Sequence, residues 1–389
     1  MPLRVDLVFP RFKLLSGAER AILGLAGALV ADGHDVRVVC HQFDASCRPR
    51  LPSDVTLVCS HSRLDWTTNR YLNAGSDYLR IFGLRRLLDD AADVCVLFGP
   101  SLPLAWCRRK GGAPLLYYCW EPPRALYHDR GRVLSRLGWS RVLVGPALRL
   151  YGALDRWLVG RVDVVCTSSP FAAAQIEAAY GRSAAVVTLG VDRARLDAAA
   201  LAKHDSPPVV LTVNYLHPRK RVELFLEAAS HCRDRWTDGA SRPRWIVVGD
   251  GPERDRLEQL ARKLGVDSDV VFAGFVPDDQ LPQYYAAASC YVHTAVEESF
   301  GLSVIEAAYC GNPIVAVAEG GVRDTVEHGE TGFLVAPSPF ELAAAVETVL
   351  RSADSGRSMG QAGHKRVSVR YRWDRGAADI VRLAQVRAT

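Results

Sequence analysis

Short apolar runs, many of them β-branched, alternate along the chain with longer stretches of helical periodicity. Val5–Phe9, Val36–Cys40, Val55–Cys59, Val94–Phe98, Leu115–Cys119, Val162–Cys166 and Val186–Asp192 read as strands in the first half. Val209–Val213, Trp245–Val248, Val270–Val276, Cys290–His293 and Ile314–Val317 read as strands in the second. Most are apolar throughout rather than alternating, as expected of parallel strands covered on both faces. Helical patterns fall between them, at Glu19–Ala31, 171–180, 221–229, 253–264, 278–287 and Leu302–Tyr309. Strand and helix in strict alternation predict an α/β chain with doubly wound parallel sheets. The polar stretch 197–208 predicts a linker between a first domain, 1–196, and a second, 209–371, with a last segment at 372–389.

Composition narrows the class. With 389 residues the chain exceeds one ordinary core, and 49% hydrophobic against 23% charged residues excludes a disordered chain. Ten Cys occur without a C-x-x-C pair, and several lie in the apolar runs. They predict reduced core thiols rather than disulfides or a zinc site. MPLRVDLVFP has only a short apolar run, and no apolar stretch of about 20 residues follows, so a soluble cytoplasmic protein is expected. Residues 1–166 carry 23 Lys/Arg against 15 Asp/Glu, and residues 167–389 carry 25 against 28. The basic first half suggests an anionic partner or an acidic membrane surface, or is simply Arg-rich composition. Within it, 132–161 interleaves Arg132, Arg136, Arg141, Arg149, Arg156 and Arg161 with Leu, Val and Trp, and Gly138 and Gly145-Pro146 divide it into pieces. It reads as a peripheral membrane segment with Trp139 and Trp157 at headgroup level, or as a packed helical pair.

Candidate chemistry gathers in AVEESFGLSVIEAAYCGNPIVAV, residues 295–317. Glu298 precedes a helix start at Ser299-Phe300-Gly301-Leu302, and Glu306 lies inside the helix. A helix start suits an anionic phosphate, and carboxylates accept hydrogen bonds from sugar hydroxyls, so the pair could hold a nucleotide-sugar. A solvated Glu298 and a surface or capping Glu306 remain the alternative. Arg219-Lys220-Arg221 puts three cations where a loop becomes a helix, fit for a diphosphate or for solvent. Gly17 and Gly249 stand at strand-to-helix turns. Trp120, Glu121 and Arg124, around two prolines, combine stacking, acceptor and cation beyond a strand end. Asp267-Ser268-Asp269 reads as a turn, since two carboxylates do not close a metal site. No nucleic-acid motif appears.

VGDGPERDRLEQLARKLGV, VVFAGFVPDDQLPQYYAAASCYV and EESFGLSVIEAAYCGNPIVAVAEGGVRDTVEHGETGFLV together resemble the retaining glycosyltransferases of family 4, whose signature is E-x7-E. SGAER and YYCWEPPR extend the resemblance more loosely into the first half. TSSPFAAAQIEAAYG and the YC-x-x-P loop are similar to mannosyltransferases of lipid-linked or surface glycans. The resemblance implies the GT-B fold: two Rossmann-like doubly wound domains facing a cleft, with a C-terminal helix crossing back to the first. It implies metal-independent, retaining transfer of a hexosyl group, with mannosyl from GDP-mannose favoured. The acceptor would be a glycan or polyprenyl-linked molecule, and no cofactor is expected. Glu306 would hold the ribose hydroxyls. Glu298 would contact the donor sugar beside the backbone of Ser299, Phe300, Gly301 and Leu302. Lys220 with Arg219 would neutralise the diphosphate, Val276 would flank the base, and Gly249 and Gly17 would complete the donor site. Trp120, Glu121 and Arg124 would face the acceptor. Three positions depart from the family pattern: Tyr215 stands for Arg, Trp120 for His, and Ser16-Gly17 for a glycine pair. A noncatalytic scaffold, or a phosphorylase or epimerase on the same fold, are the alternative functions.

Overall fold

The computed structural model describes residues 1–13, 15–60, 81–107, 112–135, 141–199, 207–236 and 242–385. It comprises two compact units, Met1–Gly190 with Trp373–Thr389, and Val191–Arg372. The division thus falls ahead of the linker expected at 197–208.

In the first unit the strands are β1 (Arg4–Val8), β2 (Arg11–Phe12), β3 (Asp35–Cys40), β4 (Gln42–Phe43), β5 (Thr56–Cys59), β6 (Val94–Phe98), β7 (Leu115–Tyr118), β8 (Val164–Thr167) and β9 (Ala185–Val186). Seven form one parallel sheet in the order β5-β3-β1-β6-β7-β8-β9, and β2 pairs with β4. β1 and β6 are buried along almost their whole length; β6 is apolar throughout, and the one charged side chain buried in β1, Asp6, accepts from Arg37 Nε at 2.8 Å. Helix Gly17–Ala31 packs against the last helix, Trp373–Gln385. Gly24 makes this approach possible, because a Cβ there would lie 2.5 Å from the Trp373 indole.

Two local expectations fail here. Val186–Asp192 forms a strand only at Ala185–Val186, since Val187 still donates to Thr167 O but the chain then departs toward Gly190. Gly145-Pro146 does not divide the basic segment, because helix Arg141–Val159 runs through it. The lost Pro146 N–H costs one helical hydrogen bond, which tertiary packing offsets. Leu158, Val159 and Asp155 are buried, and Tyr127 donates its hydroxyl proton to Asp155 Oδ2 at 2.9 Å. Arg136, Gly138 and Trp139 lie outside the described residues.

The second unit holds β10 (Val209–Val213), β11 (Arg244–Val248), β12 (Val270–Gly274), β13 (Cys290–His293), β14 (Ile314–Val317) and β15 (Gly332–Val335). All are parallel, in the order β12-β11-β10-β13-β14-β15. Chain order reverses between β10 and β13, so their C-terminal ends diverge and leave a crevice, the usual ligand position in such sheets. Beneath it lies a core around Trp245 and Phe225, whose rings meet edge-to-face at 4.8 Å. All ten cysteines are free thiols, and Asp267-Ser268-Asp269 is a turn. Among the described residues no helix is long and apolar enough to cross a membrane, and no group of acidic, His and Cys side chains could hold a metal ion.

Candidate functional site

The loops leaving β10 and β13 carry the cations and the first carboxylate. After β10, His217 caps a short turn, Pro218–Lys220, by accepting from the Arg219 N–H. After β13 the chain runs Thr294 to Gly301 before helix Leu302–Tyr309 begins. Three bonds stitch the loops together. Val296 N donates to Arg219 O at 2.9 Å, Thr294 Oγ1 to Lys220 O at 2.6 Å, and Arg221 Nε to Thr294 O at 2.9 Å. Lys220 Nζ is thereby aimed at Glu298 and donates to its Oε1 at 2.6 Å. Arg221 also reaches Glu319 Oε2 at 2.7 Å.

The backbone here is strained. Among the described residues only Arg221, at φ 44°, and Glu297, at φ 46°, are non-glycine residues at positive φ. Each adjoins one member of the Lys220–Glu298 pair. Such conformations cost about 1 kcal/mol or more and collect at functional sites. The Glu298 loop is held by close packing from below: Gly321 N donates to Glu298 O at 2.7 Å, and a Cβ on Gly321 would sit 2.1 Å from Ser299 O.

Burial pushes the Glu298 carboxyl toward the neutral form. The Lys220 ammonium, aided by Arg219, outweighs this and holds it below the usual carboxylate range. His293, the last residue of β13, is fully buried, and burial lowers its imidazole to about 4. Its Nε2 stands 3.2 Å from Glu298 Oε2.

Glu306 is buried one helical turn further on. Its Oε1 takes a charge-assisted bond from the Arg195 guanidinium and its Oε2 accepts from Tyr285 Oη at 3.0 Å. Arg195 also donates to Asp278 O at 3.0 Å. Tyr291 stands near both carboxylates and donates to Ser303 Oγ at 2.8 Å; burial and then the two negative charges raise its phenol.

The remaining candidates of this unit occupy the same edge of its sheet. Gly249, at φ 123°, lets β11 end against the β10 loop, where a Cβ would overlap Asn214 O at 1.8 Å. Val276 is buried just after β12, and Phe300 packs edge-on against Tyr371 at 5.6 Å. Gly301, at φ 84°, starts the helix, and Tyr215 is exposed, its ring stacked near His217. Gly17, Trp120, Glu121 and Arg124 belong to the first unit. Gly17 opens its first helix. Trp120 extends an aromatic column with Tyr118, at 4.5 Å, and Phe98, at 6.0 Å, and Arg124 pairs with Asp129 at 2.8 Å. The reading from sequence did not single out His293, Arg195 or Thr294. The one available signal was a histidine closing an otherwise apolar strand.

The comparisons with known proteins place the chain in a family. The Glycosyl transferases group 1 profile matches residues 194–366, and the Glycosyl transferase 4-like domain profile matches 16–192. The chain is 31% identical, over 320 residues, to the GDP-mannose-dependent alpha-(1-6)-phosphatidylinositol monomannoside mannosyltransferase of Mycobacterium tuberculosis, covering 76% of this chain and 77% of that protein. It is 26% identical over 391 residues to human Alpha-1,3/1,6-mannosyltransferase ALG2, covering 92% and 90%. Among solved structures it resembles Anabaena HepE bound to UDP and glucose (TM-score 0.72, 19% identity, 98% of this chain and 99% of that one). The lipopolysaccharide glycosyltransferase WaaG is similar (TM-score 0.71, 19% identity, 97% and 99%). These likenesses give the GT-B fold. With consecutive profiles running from residue 16 to residue 366, and a relative 31% identical over three quarters of both chains, the chain belongs to the group 1, family 4-like glycosyltransferases.

Proposed function

We propose that the protein transfers a mannosyl group from GDP-mannose to a lipid-linked or glycan acceptor, with retention at the anomeric carbon and without a metal ion. The observation that carries this is the Lys220–Glu298 pair at the point where the second sheet reverses its strand order. An ammonium and a carboxylate held together there divide the donor between them. As the bond from C1 to the diphosphate oxygen breaks, negative charge grows on the diphosphate. Lys220, aided by Arg219 and the start of helix Leu302–Tyr309, stabilises that charge. Glu298 accepts from a sugar hydroxyl and faces the oxocarbenium-like centre. The departing phosphate oxygen takes the acceptor hydroxyl's proton as the new C1–O bond forms on the same face. No separate strong base is needed, which suits a chain with Trp120 where the family pattern has His. Fixed cations do the work of a metal on the leaving group. Glu306, held in place by Arg195 and Tyr285, accepts from the ribose hydroxyls. Donor choice rests on the mannosyltransferases to which the chain is similar.

GDP is expected to raise the melting temperature more than UDP or ADP, since a ligand of the native state at about 100 times its Kd adds about 2.7 kcal/mol. GDP-mannose should turn over equally with or without EDTA, and NMR of the product should show the donor's anomeric configuration. A shift from UDP alone would replace the donor, and an inverted product would end the retaining mechanism.

The acceptor side suits a lipid surface. Helix Arg141–Val159 exposes Leu150 (75%), Leu154 and Trp157, while Asp155 and Leu158 turn inward. Trp106 meets the Trp157 ring at 4.9 Å, and Arg161 stacks over it at 4.9 Å. Exposed aromatic and leucine side chains beside arginines match the interface of an anionic bilayer. Cosedimentation with phosphatidylglycerol vesicles is expected for the wild type and should fall several-fold in Leu150→Asp/Trp157→Ala. Equal binding by both proteins would remove this surface from the acceptor side.

A further inference from the structure

We propose that His293 is a positioning residue for Glu298, supplying the neutral hydrogen bond that keeps this carboxylate aimed at the sugar when Lys220 turns to the diphosphate. The inference rests on the transferase reading of Glu298. In the structure Lys220 satisfies Oε1, while Oε2 is buried and accepts no aligned hydrogen bond among the described residues. The imidazole of His293 is fully buried directly behind it. Both ring nitrogens lack an aligned partner among the described residues, and Nε2 is 3.2 Å from Oε2. A small rotation of either side chain converts this approach into an N–H···O bond. The ring also underlies the helix start, since a Cβ on Gly301 would lie 3.9 Å from its Cε1.

Donor binding creates the need for this bond. The ammonium that Glu298 shares in the resting state is drawn to a doubly charged leaving group. A half-buried carboxylate left without a donor would protonate or swing toward solvent. His293 is placed to take over, and its neutrality matters. Of the charged groups facing it, Lys220 and Arg221 on the β10 loop act with burial to keep it uncharged at neutral pH, against the opposing pull of Glu298 on its own loop. A second cation at this depth would oppose positive charge developing at C1, whereas a neutral N–H orients the carboxylate without doing so.

Gln and Asn separate this role from simple space filling. The Gln amide reaches the position of Nε2, and the shorter Asn amide reaches only that of Nδ1. His293→Gln is expected to retain turnover within a few-fold, whereas His293→Asn and His293→Leu should lose roughly 10²-fold, the cost of a misplaced reacting group. The loss should appear in kcat. GDP, which lacks the mannosyl group, should raise the melting temperature of all three variants as it does that of the wild type. Equal turnover in the Gln and Asn variants, high or low, overturns the proposal, as does wild-type turnover in the Leu variant. Wild-type protein that turns over no nucleotide-sugar sinks the transferase reading instead.

Discussion

Replacing Lys220 by Ala is expected to lower turnover about 10²- to 10³-fold, the usual loss when one fixed donor to a developing charge is removed. The ammonium meets Glu298 at 2.6 Å in the resting structure, so the substitution also strands a carboxylate that burial disfavours. Two measurements then part company. The melting temperature should fall in Lys220→Ala and recover in part in Lys220→Ala/Glu298→Gln, because the neutral amide removes the unpaired charge. Turnover should stay low in both, and in Glu298→Gln alone, because leaving group and sugar each lose their partner. The pH dependence has a definite sign. Glu298 has a folded pKa below its unfolded value, so its contribution to stability is present above the unfolded pKa and disappears as pH falls through the folded one. The difference in melting temperature between wild type and Lys220→Ala should therefore be greatest near neutrality and shrink in acid. Wild-type turnover in both Lys220→Ala and Glu298→Gln would remove the pair from the chemistry.

How far this site was visible in the sequence depended on the range of the interaction. Val209–Val213, Cys290–His293, Ile314–Val317 and helix Leu302–Tyr309 match their expected limits, because a buried parallel strand needs an uninterrupted apolar run and Gly301 and Gly311 bound the helix. Each arm of the site was legible for the same reason, since the candidates follow strand ends directly. Their pairing was not. Lys220 and Glu298 are 78 positions apart, and only the β10-β13 neighbourhood brings them within hydrogen-bond reach. Arg195 lies 111 positions from Glu306, in a stretch whose local pattern is that of an ordinary polar turn. Pro146 misled in the opposite direction. A local breaker was overruled by burial of the far end of its helix, which no short window contains.

Gly321→Ala is expected to abolish turnover nearly as completely as loss of Lys220, without touching a charged group. The added Cβ would stand 2.1 Å from Ser299 O, 2.7 Å from its carbonyl carbon and 3.2 Å from Phe300 Cα. These are backbone atoms, so no side-chain rotation relieves the overlap. The loop from Glu298 to Gly301 must shift, and with it the carboxylate and the helix start. Overpacking of this kind costs about 3 kcal/mol, and displacing a reacting group by about 1 Å costs roughly 10²-fold in rate. Gly320 offers no slack, because its own Cβ would meet Glu298 O at 2.5 Å. Gly131→Ala is the matched control: it adds the same methyl in helix Arg130–Ser135, where nothing lies within 4 Å, and should leave turnover unchanged. Calorimetry and a transfer assay on both variants decide the matter. A fully active Gly321→Ala protein would mean that Glu298 is not held from below, and that the geometry assigned to the site does not govern the reaction.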